Sequence, residues 1–126
     1  MILSSRRPII VVDDDLSVRT SIKRLLREHG FPVLLFDSAH ALLDHRELGK
    51  AVCIIIDINL DGESGIDLRR RLAGEGVTSP VIYITGNDSQ ANRSAALASG
   101  CIAYLTKPFM AQSLMEPIQR AVSGAT

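Results

Sequence analysis

The amino-acid sequence predicts an α/β domain whose five strands build one doubly wound parallel sheet. Short apolar runs rich in β-branched residues alternate with segments of helical periodicity, the pattern of consecutive βα units. Residues 52–56 are apolar at every position, as a central parallel strand covered on both faces requires. The first, third, fourth and fifth runs each stop at a polar residue, so one end of the sheet collects polar side chains.

The first strand covers residues 8–12 and ends in Asp13, Asp14 and Asp15; Val18, Ile22, Leu25 and Leu26 then recur at helical spacing up to His29 and Gly30. A second strand fits residues 33–36, and Ser38 caps a short helix carrying Leu42 and Leu43 that closes before Gly49. The third strand, 52–56, delivers Asp57 to its C-terminal end. A turn-like stretch through Asp61 and Gly62 leads to a helix with Ile66, Leu68 and Leu72. A fourth strand, 81–84, ends at Thr85, and a fourth helix, 89–99, is closed by Gly100. The fifth strand, 102–105, leads to Thr106, Lys107 and Pro108, and the last helix holds Leu114, Ile118 and Val122. Pro117 falls inside that last pattern, where it removes a backbone donor and crowds the preceding turn, so a kink or a late start is expected.

No repeat, low-complexity tract or linker interrupts this order, and 126 residues suit one domain, 1–126, burying about two thirds of the surface its unfolded chain exposes. Lys plus Arg equals Asp plus Glu at 14 each, which removes whole-molecule charge as a reason to expect nucleic acid or an anionic membrane as a direct partner. The apolar runs are too short to span a bilayer, and the N-terminus lacks a long apolar stretch of the secretory kind. Cys53 and Cys101 lie in apolar segments and match no zinc or CxxC spacing; as reduced, buried fillers they make the cytoplasm the expected compartment. Arg19, Lys23 and Arg27, and the arginines at 69–71, read as solvated helix faces, and His29, His40 and His45 as surface or helix-end residues. Gly62 and Gly65 fit neither a Walker loop nor GxGxxG.

In open doubly wound sheets, ligands bind outside the carboxyl ends of the strands, so Asp13, Asp14, Asp57, Thr85 and Lys107 are expected to meet there. Carboxylates about 4 Å apart repel by roughly 4 kcal/mol at an effective dielectric of 20, which a divalent cation or an ammonium offsets. Oxygen ligands without Cys or His suit Mg²⁺. Asp57 is then a candidate nucleophile toward phosphorus, Lys107 a point charge for one phosphoryl oxygen and Thr85 a donor to another. Each has an ordinary reading when taken alone. Asp13, Asp14 and Asp15 could be a strand end running into a helix cap, Asp57 a turn residue, Thr85 before Gly86 plain turn chemistry, and Tyr104 strand packing. Their succession at strand ends favours the functional reading.

The ordered segments VVDDD, CIIIDINLDGESG, VIYITG and YLTKPF resemble the receiver domain of two-component response regulators over nearly the whole chain, with the closest likeness to FixJ-like receivers that precede a LuxR-type DNA-binding domain. The resemblance implies a flavodoxin-like (βα)5 fold with strand order 2-1-3-4-5 and a phosphoryl group received on Asp57 from a sensor histidine kinase. It implies Mg²⁺ held by Asp57, by Asp14 directly, by Asp13 through bound water and by the backbone carbonyl of Asn59. It makes Lys107 the phosphoryl-contacting lysine, Thr85 and Tyr104 the switch pair, and the Lys107–Pro108 peptide cis. It further implies a phosphorylation-dependent homodimer through the fourth helix, fifth strand and fifth helix, and DNA contact only through an output domain outside this chain. Catalysis is expected to extend only to the domain's own phosphorylation and dephosphorylation.

Asp61 departs from the family, which usually has Pro four residues after the phosphoacceptor. Asn59 and Asn87, two residues beyond Asp57 and Thr85, stand where the family tunes phosphoryl lifetime. Two other readings compete. A Mg²⁺-dependent phosphatase or phosphotransferase of the haloacid dehalogenase kind needs a second acid two residues after the nucleophile, where this chain has Asn59. A degenerate receiver serving as an unphosphorylated interaction module is argued against by the intact set of five polar residues.

Overall fold

The computed structural model describes residues 6–45 and 50–124. The elements run β1 (Ile9–Val12), α1 (Leu16–Glu28), β2 (Val33–Phe36), α2 (Ala39–Leu43), β3 (Cys53–Asp57), β4 (Asn59–Leu60), β5 (Glu63–Ser64), α3 (Gly65–Gly74), β6 (Val81–Thr85), α4 (Gln90–Ala98), β7 (Ala103–Thr106) and α5 (Ala111–Gly124). Five of the strands form a parallel sheet in the order β2-β1-β3-β6-β7, which is the predicted 2-1-3-4-5 order once the small β4-β5 hairpin is set aside.

The apolar run of β3 alternates its side chains between two cores, as a pleated strand covered on both faces must. Ile54 and Ile56 join α2, α3 and α4 through Leu42, Leu68, Leu72 and Ala96, whereas Cys53 and Ile55 join α1 and α5 through Ile22, Leu26, Leu114 and Ile118. Every residue of β1, β3 and β6 is buried, while β2 and β7 at the edges are mostly half-buried. Burying one large aliphatic side chain contributes about 1.5 to 3 kcal/mol, so the three central strands are the firm part of the molecule. Their register aligns Val12 with Ile56 and Asp57 with Ile84, which brings the ends of β1, β3 and β6 to one edge.

Side-chain caps start the helices at that edge. The Asp15 carboxylate accepts from the Ser17 and Val18 amides at the start of α1, and Ser38, Ser64 and Ser89 serve α2, α3 and α4 in the same way. The predicted turn through Asp61 and Gly62 is the tip of the β4-β5 hairpin, with Gly62 at φ +77°. Gly65 is constrained by space: a Cβ there would lie 2.2 Å from the Asp57 carbonyl oxygen, so only glycine lets α3 start against the end of β3.

Two expectations are corrected. Helix α5 does not start late at Pro117 but runs unbroken from Ala111, because the proline is buried in the core while Ser113, whose carbonyl loses its partner four residues on, lies on the exposed side. Of the two thiols expected to be buried, Cys53 is, but Cys101 is half-buried; both are free. Gly49 lies outside the described residues. Among the described residues no helix is long and apolar enough to cross a membrane.

Candidate functional site

The end of β1 turns Asp13 fully inward, where its Oδ1 accepts the Asp15 amide at 2.8 Å. Its Oδ2 is buried too and faces Lys107 Nζ at 2.8 Å, a charge contact poorly aligned as a hydrogen bond. Asp57, 4 % exposed, accepts the Asn59 amide on Oδ1 at 2.9 Å and Lys107 Nζ on Oδ2 at 2.9 Å. Lys107 therefore bridges two carboxylates, and its backbone N–H, donating to the Thr85 carbonyl at 2.7 Å, fixes its segment to β6. The Lys107–Pro108 peptide is cis, as expected. Asp14 is exposed, and one carboxylate oxygen from each of Asp13, Asp14 and Asp57 lies within 4.8 Å of the others. Arg19, read from sequence as part of a solvated face, instead reaches back to donate to the Asp13 carbonyl at 2.7 Å.

Three carboxylates facing one ammonium leave the site short of positive charge. Burial raises the Asp57 carboxyl above its ordinary value, and the Asp13 charge adds to this, against the opposing pull of Lys107 and the Asn59 amide. Burial alone would lower Lys107, but its contacts with Asp13 and Asp57 outweigh that, and its ammonium is held above the ordinary range. The residues fit a hard cation: the donors are oxygens only, they converge, and Asp13 Oδ2 is buried without a well-directed donor.

Thr85, fully buried at the end of β6, is one step removed from this cluster. Its hydroxyl donates to Asn59 Oδ1 at 2.9 Å and accepts the Asn87 amide at 3.0 Å. Asn59, expected to act through its backbone carbonyl, thus also holds Thr85 with its side chain. Tyr104 is not in the cluster. It is half-buried on β7, and its hydroxyl donates to Asp88 Oδ1 at 3.0 Å. Beside Lys107 a mostly apolar cavity of about 600 Å³ opens between α1 and the start of α5, lined by Val18, Ile22, Leu25, Pro108 and Phe109.

The ordinary readings hold for some of the flagged residues. Asp15 is a helix cap, and Thr85 with Asn87 does form a turn contact. Arg70 pairs with Asp67 and Arg71 with Glu63 near the surface. His29 ends α1, His40 is exposed beside Asp44, and His45 packs edge-on against Phe36. Sequence reasoning weighs Gly65 only as a phosphate-loop glycine and passes over Asp88 and Arg93, since spacing along the chain carries no sign of what they touch.

The family model described as the response regulator receiver domain matches residues 9–119. Among curated proteins, the chain is 33 % identical over 118 residues to nodulation protein W of Bradyrhizobium diazoefficiens, covering 94 % of this chain and 52 % of that one. It is 32 % identical over 123 residues to the transcriptional regulatory protein FixJ of the same organism, covering 98 % and 60 %. The chain thus spans little more than half the length of these relatives. Among solved structures, a CheY-like receiver domain protein from Methanospirillum hungatei superposes with a TM-score of 0.84 at 26 % identity, over 95 % of this chain and 96 % of that one. The polar edge therefore stands on a fold matched almost end to end, and the chain belongs to the response regulator receiver family of two-component systems, whose standard function is phosphorylation on an aspartate and the conformational switching that follows.

Proposed function

We propose that Asp57 is the phosphoacceptor and that the chain takes its phosphoryl group from a sensor histidine kinase. The observation that carries this reading is the placement of Asp57 at the end of the fully buried β3, with Lys107 Nζ 2.9 Å from its Oδ2. In the transfer, an Asp57 oxygen forms a bond to phosphorus as the bond from phosphorus to the donor imidazole breaks, and the imidazole nitrogen keeps the electron pair. Lys107, already poised between two carboxylates, follows the charge onto a phosphoryl oxygen. Asp13, Asp14, Asp57 and the Asn59 carbonyl would hold Mg²⁺, which supplies positive charge to the developing phosphoryl oxygens. Asn59 stands two residues after Asp57, where a hydrolase of the haloacid dehalogenase kind needs its second acid, so catalysis extends only to the chain's own phosphorylation and its reversal.

Thr85 is the nearest uncharged donor on β6. On phosphorylation its hydroxyl leaves Asn59 Oδ1 for a phosphoryl oxygen, and Tyr104 changes position with it, remodelling the face made by α4, β7 and α5. That face is where the phosphorylated chain pairs with a second copy. DNA is reached through an output domain elsewhere in the protein, in keeping with the relatives' greater length, and the compartment is the cytoplasm.

Intact-mass spectrometry after incubation with acetyl phosphate and Mg²⁺ tests the assignment. One acid-stable, alkali-labile adduct is expected, absent from Asp57→Asn; an equal adduct on that variant overturns it. Mg²⁺ titration of Asp14→Ala should show weakened binding, and parent-like affinity would remove the cation from this corner.

A further inference from the structure

The residues that hold Tyr104 form a closed triangle. Tyr104 Oη donates to Asp88 Oδ1 at 3.0 Å, Arg93 Nη2 donates to Asp88 Oδ2 at 2.7 Å, and the Arg93 guanidinium carbon stands 5.0 Å from the centre of the Tyr104 ring. One corner belongs to the loop between β6 and α4, one to α4 and one to β7, so the contacts tie together three segments of the face that is proposed to switch.

The loop that carries Asp88 is fastened to Thr85. The Asn87 amide donates to Thr85 Oγ1 at 3.0 Å, and Asn92 Nδ2 of α4 donates to the Asn87 carbonyl at 2.9 Å. A displacement of the Thr85 hydroxyl toward Asp57 therefore pulls on Asn87 and, through the next residue, on Asp88. An isolated ion pair as exposed as Asp88 and Arg93 contributes little. Here the carboxylate is shared, so Tyr104 cannot leave without giving up its acceptor and its cationic cover together.

Resting on the reading of Thr85 and Tyr104 as a switch pair, we infer that Asp88 and Arg93 are positioning residues that latch Tyr104 in the unphosphorylated arrangement and set how much of the chain is switched before any phosphoryl group arrives. Neither residue touches the reacting atoms. Their effect runs through the resting equilibrium: weakening the latch raises the switched population, and by linkage it eases phosphorylation.

Tyr83 and Tyr104 are the only two tyrosines, which makes 3-fluorotyrosine a selective probe. Tyr83 is fully buried, so its ¹⁹F resonance reports whether each variant keeps its core. In Asp88→Ala without phosphorylation, the Tyr104 resonance is expected to move toward its position in the beryllofluoride-treated parent, with Tyr83 unmoved. Phosphorylation by acetyl phosphate should be about threefold faster. Asp88→Asn, which keeps an acceptor for Tyr104 but loses the charge for Arg93, should fall between, and Arg93→Ala should follow it. If beryllofluoride shifts Tyr104 in the parent while Asp88→Ala leaves it in place, the latch is wrong and the switch stands. If beryllofluoride does not shift Tyr104 in the parent, the switch pair and the latch both fall.

Discussion

The centre of the sheet and its β7 edge are built to opposite specifications. β3 and β6 are buried along their whole length and end in Asp57 and Thr85, whereas β7 is half-buried and carries Tyr104, whose hydroxyl donates to the near-surface Asp88. Transfer chemistry needs carboxylates and ammonium fixed to fractions of an ångström, and close packing supplies this. A readout needs two arrangements of nearly equal energy, which a lightly packed edge provides. On the reading proposed above, the molecule divides fixing from moving between neighbouring strands, with the loop after Thr85 as the connection.

The strongest way to break the centre is Gly65→Ala. A Cβ 2.2 Å from the Asp57 carbonyl and 2.6 Å from Ile56 Cγ2 must push the end of β3 aside, costing about 3 kcal/mol. Urea denaturation should show that loss, and Lys107 should lose its alignment on Asp57, read as slowed adduct formation. A parent-like midpoint and rate would show that the end of β3 is softer than its burial implies.

Thr85→Ala cuts centre from edge. It removes the bonds to Asn59 and Asn87 while leaving Asp57 and Lys107 in place. Adduct formation should persist, but the gain in self-association on beryllofluoride treatment, expected to be about 1 to 3 kcal/mol in the parent, should vanish. Sedimentation of both proteins measures this; equal gains would mean that the edge is reached by another route.

Asp57→Asn tests whether the centre gives up stability for chemistry. Because burial raises the Asp57 carboxyl above 3.8, the folded chain holds that proton to higher pH than the unfolded chain, so stability falls as pH rises from 3.8 through the raised folded value, and the deficit persists at neutral pH. The amide carries no such deficit. The variant should be more stable than the parent at neutral pH, by about 1 kcal/mol, with the advantage shrinking as pH drops through the raised folded value and gone below 3.8. Thermal melts at both pH values measure it, and a variant less stable than the parent at neutral pH would contradict the sign.

Tyr104→Phe should have the smallest effect. Loss of a hydrogen bond between a half-buried hydroxyl and a near-surface carboxylate should change stability by less than about 0.5 kcal/mol. A larger loss by the same denaturation assay would place the edge with the centre.

What the sequence by itself determined is whatever follows from periodicity and from chemistry at element ends. The all-apolar run before Asp57 reads as a strand covered on both faces, and Asp13, Asp14, Thr85 and Lys107 fall at strand ends, which the parallel topology brings to one edge. Asp15 and Ser38 read as caps because capping is local. Contacts between distant side chains were decided only in the tertiary structure. The β4-β5 strands are two residues long, too short to show a period, yet they swing Asn59 onto Thr85 across 26 residues. The need for glycine at position 65 arises from a backbone approach that composition does not record. Pro117 signals a helix break locally, but burial of its ring holds the turn of α5 that the missing hydrogen bond would otherwise weaken. Asp88 and Tyr104 meet across 16 residues because β7 lies beside β6 and the intervening loop folds back toward it, an arrangement set by packing and not by any residue in the loop alone.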